Sequence, residues 1–139
     1  GHFTASAFVI NSDFSKLILL HHAKLEIWTQ PGGHCDGDHD LLAVAIKEAQ
    51  EETSILALEP LYEEIFDIDI HNVPEYKGIP AHKHYDVRFI LLSKQDHLLK
   101  ANDESTDISW FDIDVNKIPT NDKAVTRMVE KYSALYVTN

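Results

Sequence analysis

Glu48, Glu51 and Glu52 are the residues whose type and spacing could do chemistry in this chain. Separations of i, i+3 and i+4 make them neighbours on one helix face, where each like-charged pair costs about 0.2–0.5 kcal/mol. Something must offset that repulsion. A hard cation such as Mg²⁺ takes carboxylates together with waters and phosphate oxygens, so clustered glutamates on a rigid element suit a site that handles phosphorylated compounds. A merely solvated acidic face is the alternative that three glutamates alone leave open.

The elements that would position them can also be read. At about 100° per residue the three glutamates fall within an arc of roughly 100°, and Leu42, Ile46, Ala49 and Thr53 form a separate apolar arc beside it. Before the helix, Gln30-Pro31-Gly32-Gly33 announces a tight loop. Asp36, Asp38 and Asp40 crowd the helix start; one of them caps it, and cap preference explains all three without a metal.

This stretch resembles the Nudix box: a Gly, five residues, a Glu, seven residues, then Arg-Glu-apolar-x-Glu-Glu-x-Gly-apolar. Gly33, Glu48, Ala49, Glu51, Glu52 and Ile55 match in register over 23 of the 139 residues. His39, Lys47 and Ser54 stand where the family has Glu, Arg and Gly. The resemblance implies an α/β/α sandwich with a mixed β-sheet between helices. It also implies hydrolysis, dependent on Mg²⁺ or Mn²⁺, of a phosphoanhydride in a nucleoside diphosphate linked to another moiety. Glu48, Glu51 and Glu52, with the carbonyl of Gly32, would hold the metal, which would lower the pKa of an attacking water. Glu52 or Glu104, the latter in a loop ahead of the Trp110-Phe111 pair, would take the proton. Lys47 would carry the charge of the family's Arg without its planar fork. His39, a poor Mg²⁺ ligand, is expected to play a supporting role. Ser54, if left-handed, costs about 1 kcal/mol. These three departures favour the rival reading, a Nudix-fold domain that binds a nucleotide or protein partner without turning it over; the intact glutamate trio opposes it.

Elsewhere the pattern predicts strands over Thr4–Ile10 and Lys16–His22 forming a hairpin, a short strand over Leu25–Trp28, and a strand around Phe66–Ile70. Residues Asn72 to Ala81 read as a loop that could contact substrate, and Asn121–Tyr136 as an amphipathic helix capped by Thr120 or Asn121. In the strand His84–Ser93, alternation puts His82, His84, Asp86 and Arg88 on one face. His84 and Arg88 could meet phosphate and Asp86 a hydroxyl; a solvated strand face and a Zn²⁺ site of His82, His84 and Asp86 are the other readings.

The bulk properties bound the rest. At 139 residues and 44% hydrophobic, the chain makes one domain. A formal net charge of −11 opposes binding to nucleic acid or anionic membranes, so a small nucleotide-type substrate would need a bridging cation. Cys35 is the single cysteine, which suits a reducing cytoplasm, and neither a signal peptide nor a membrane-length apolar run is seen. Gly1 in place of Met reads as a processed or engineered start. Oligomeric state, a homodimer included, is open.

Overall fold

The computed structural model describes residues 2–23, 26–94 and 105–136. Among these described residues, eight strands and two helices follow in the order β1 (His2–Ile10), β2 (Lys16–His22), β3 (Trp28–Thr29), β4 (Gly32–His34), α1 (Leu41–Thr53), β5 (Leu58–Pro60), β6 (Asp67–Val73), β7 (His82–Ser93), β8 (Ser105–Asp112) and α2 (Lys123–Tyr136). The strands make one mixed sheet in which β1 and β7 run parallel along nine paired residues while the other pairings are antiparallel. Since β7 occupies one edge of β1, the other edge is shared by β4 and β2; the outer edge of β7 is likewise shared by β6 and β5.

Alternation along β1 sorts its side chains between two layers. Ala5, Ala7 and Val9 join clusters with Val44, Ala45 and Ala49 of α1. Phe8 and Ile10 face the other way and pack with Val125, Met128, Val129 and Tyr132 of α2. The helices therefore cover opposite faces, as expected for an α/β/α sandwich. Leu17 to Leu20 of β2 are all buried, the both-faces burial that a continuous apolar run implies.

Several boundaries differ from the sequence reading. β1 begins at His2, two residues early, because His2 pairs with His84. Gly32–His34 is a short strand on β1 rather than only a loop. Asp40 is the α1 cap, its carboxylate accepting from the Ala43 N–H at 3.0 Å. α2 is capped by Asp122, which accepts from the Ala124 N–H at 2.9 Å; Thr120 instead accepts from the Asp122 N–H. The third strand is Trp28–Thr29, and Leu25, like Glu104, lies outside the described residues. β6 runs on to Val73, so the loop reduces to residues 74–81, with a turn pinned by paired Tyr76–Ile79 hydrogen bonds.

Candidate active site

The α2 layer covers only part of its face. Toward the N-terminal ends of β1 and β7 the same side of the sheet turns polar, because Thr4 and Ser6 replace the large apolar residues that continue at Phe8 and Ile10. Registers stack those polar residues into rows: Gly32, Ser6, Arg88 and Asp67 in one, His34, Thr4, Asp86 and Asp69 in the next, and His2, His84 and His71 in a third. The first two rows, Asp67 excepted, floor a cavity of about 710 Å³ that His71, Gly33, Gln30 and Glu48 also line.

Asp86 organises this floor. One carboxylate oxygen accepts from Thr4 Oγ1 at 2.8 Å and Ser6 Oγ at 2.7 Å; the other accepts from Arg88 Nε at 2.8 Å and Gln30 Nε2 at 3.3 Å. Arg88 is 4% exposed, donates through Nη1 to the Ala124 carbonyl at 2.8 Å, and lies 3.6 Å from Asp67 and 3.8 Å from Asp69. Arg127 of α2 closes the same network from above, pairing with Asp67 at 2.7 Å and Asp69 at 3.2 Å. A buried guanidinium among carboxylates holds its geometry because each charge lost from it would leave another uncompensated. Asp86 and Arg88 therefore already have partners within the chain, and what they offer a ligand is a fixed, polar wall.

Glu48 reaches the cavity from α1, which lies under the other face, and it can do so because of a glycine. A Cβ built on Gly33 would come within 2.6 Å of Glu48 Cδ. Gly32 is pressed against the Ala5 carbonyl and Ser6, and a Cβ there would lie 2.9 Å from that backbone oxygen. Its N–H donates to Glu52 Oε1 at 2.9 Å, so the buried Glu52 ties the glycine strand to the helix. Glu51 and Lys47 are exposed on the helix flank and do not belong to the cavity wall. α1 ends at Ser54 with φ 64° and ψ 14°, the left-handed geometry that a family glycine would adopt freely.

Of the residues expected to act, the fold brings Glu48, Gly32, Asp86 and Arg88 into one cavity, with Glu52 directly behind Gly32. His84 sits one row away, among other histidines, and burial first, then the charge of His71 and its neighbours, holds its imidazole below its usual range. Burial, then Asp38 and Asp36, pushes the Cys35 thiol up. The set of His82, His84 and Asp86 does not come together as one site, since Asp86 is bound into the floor. The sequence does not single out Thr4, Ser6, Asp67, Asp69 and Arg127; the alternation of Asp67 and Asp69 is visible in it, but a strand face turned to a polar interior reads the same as a wet one.

The chain was compared with known proteins. The NUDIX domain family model matches residues 2–132. A "Probable DHNTP pyrophosphohydrolase" of Lactococcus lactis subsp. cremoris (strain MG1363) is 27% identical over 126 residues, which is 89% of this chain and 70% of that protein. Among solved structures, a Caenorhabditis elegans Ap4A hydrolase superposes with a TM-score of 0.76 at 18% identity, covering 99% of this chain and 98% of that one. An E. coli dihydroneopterin triphosphate pyrophosphohydrolase superposes with a TM-score of 0.72 at 12% identity, covering 96% and 95%. At these identities the two structures establish the likeness of fold. The chain belongs to the NUDIX family.

Proposed function

We propose that this chain hydrolyses a phosphoanhydride in a nucleotide-type small molecule, a nucleoside diphosphate linked to another moiety, with Mg²⁺ or Mn²⁺ held at Glu48, Glu51, Glu52 and the carbonyl of Gly32. The single observation that carries the reading is Glu48 passing over Gly33 into a polar cavity. The donors suit the ion. They are carboxylate and carbonyl oxygens, the ligand types that Mg²⁺ takes together with waters and phosphate oxygens.

When bound, the ion neutralises charge on the phosphoryl oxygens and lowers the pKa of a coordinated water. Glu48 contributes a carboxylate at the cavity wall. Glu52, oriented by the Gly32 N–H, or Glu104 accepts the proton of the attacking water. Lys47 supplies positive charge beside Glu51 and Glu48. Asp86 and Arg88 keep the floor rigid against the substrate, and His84 contacts it from the next row.

The test is a panel of nucleoside triphosphates, oxidised nucleotides, dinucleoside polyphosphates, nucleotide sugars, ADP-ribose and dihydroneopterin triphosphate, with Mg²⁺, reading out phosphate or pyrophosphate. The last compound and the dinucleoside polyphosphates enter because similar proteins carry those names. Turnover should vanish with EDTA and return with Mg²⁺. Glu51→Gln and Glu52→Gln should each lower the rate at least about a hundredfold, the scale lost with a well-placed electrostatic group. Tight binding of panel members without turnover would replace hydrolysis with the binding-module reading.

A further inference from the structure

Five histidines gather at one end of the sheet, outside the glutamate set, and two of them, His34 and His71, also line the cavity. His84 of β7 is the hub: its ring centroid lies 5.0 Å from His82, 5.3 Å from His71, 5.6 Å from His34 and 5.7 Å from His2. His2 and His82 are 4.7 Å apart, closing a triangle with His84. Four strands supply them, and the registers make the gathering: His2, His84 and His71 occupy one row, His82 follows on the same face of β7, and His34 is one row on.

These spacings fit a shared ion. Imidazole nitrogens about 2.0–2.1 Å from a tetrahedral Zn²⁺ place the centroids of two ligating rings roughly 5 Å apart. Two of the rings also have one nitrogen already committed. His82 Nδ1 lies 3.0 Å from the Pro80 carbonyl oxygen, and His71 Nδ1 lies 3.3 Å from Asp69 Oδ2. Both acceptors require the proton on Nδ1, which leaves Nε2 with its lone pair outward, the arrangement by which carbonyls and carboxylates orient metal-binding histidines. As the side chains stand, no three His, Cys, Asp or Glu among the described residues are placed to hold an ion, so binding requires these rings to turn. The rings are half-buried or exposed, so side-chain rotation toward a common ion is unhindered by core packing.

We propose that His2, His82 and His84, with His71 or His34 as a fourth donor, form a second cation site selective for a borderline transition ion of the Zn²⁺ and Co²⁺ kind. Its imidazole donors discriminate against Mg²⁺, which prefers oxygen, so the two sites of the molecule sort ions by ligand softness. The inference stands on the histidine geometry and not on the hydrolytic reading.

The experiment is titration of the full chain with Co²⁺ followed by visible absorption, then displacement by Zn²⁺. With excess Mg²⁺ present to fill the glutamate site, the expected result is one Co²⁺ per chain with the intense visible bands of a four-coordinate ion, bleached by Zn²⁺. His84→Ala and His82→Ala should each weaken binding about a hundredfold or more, with circular dichroism unchanged, while Glu48→Gln binds Co²⁺ as before. His84→Asn gives a second folded test of the hub. A pale six-coordinate spectrum, or binding equally strong in the His82 and His84 variants, would overturn the proposal.

Discussion

At the scale of single residues, the paired glycines do different jobs. The space over Gly33 is taken by the far end of the Glu48 side chain, which can swing aside, whereas the space over Gly32 is bounded by the Ala5 backbone, which cannot. Gly33→Ala should therefore leave the melting temperature within a few degrees of wild type, about 1 kcal/mol or less, while phosphate release falls at least about tenfold as Glu48 is displaced. Gly32→Ala should instead destabilise by about 1–3 kcal/mol, the scale of forced overpacking. Wild-type turnover in folded Gly33→Ala would remove Glu48 from the metal-holding role. Both glycines were visible in the sequence as a turn signal, but which neighbour each one makes room for depends on β1 and α1 being laid against them.

At the scale of elements, the two helices end and seat themselves by recognisable local chemistry. Ser54 holds the left-handed position that terminates α1, and it is exposed. Ser54→Gly should stabilise the fold by about 1 kcal/mol, measured from the urea midpoint at unchanged slope, and leave turnover unaltered. α2 is fastened by Tyr132, 1% exposed, whose hydroxyl donates to the Phe14 carbonyl at 3.0 Å. Burial pushes this phenol from 10.0 up to about 12. Because the folded value lies above the unfolded one, its stabilising contribution is whole below pH 10 and is lost as the pH climbs toward about 12, on the order of 2 kcal/mol. Tyr132→Phe should lose about 1 kcal/mol at neutral pH and then show a shallower alkaline decline than wild type. Parallel stability curves for the two proteins between pH 10 and 12 would contradict this. The box register sets Ser54 where the family has Gly and leaves its handedness as a condition, which the structure meets. The Tyr132 contact was not, since Phe14 is 118 residues away in the chain.

At the scale of the whole molecule, Arg88 is the joint between sheet and helix layer. It bonds to Asp86 beside it, approaches Asp67 and Asp69 on β6, and reaches the Ala124 carbonyl at the start of α2. Arg88→Met removes the charge and leaves buried carboxylates partly uncompensated. It should cost about 3–5 kcal/mol in chemical denaturation and should lower turnover together with stability. A loss under about 1 kcal/mol would mean that Arg127 alone satisfies the acidic residues. What the sequence by itself determined is everything with a local cause: the Nudix register from Gly33 to Ile55, the acidic face of α1 and the alternation of β7. Only the tertiary structure decided which of those side chains share a space. It put Asp86 and Arg88 into an internal network, left Glu51 and Lys47 on the helix flank, and gathered histidines from four strands. The physical reason is that alternation and helical period specify which face a residue occupies, whereas strand order and register specify what stands opposite it. In this molecule the parallel pairing of β1 with β7 joins segments about eighty residues apart, a distance across which no local pattern carries information.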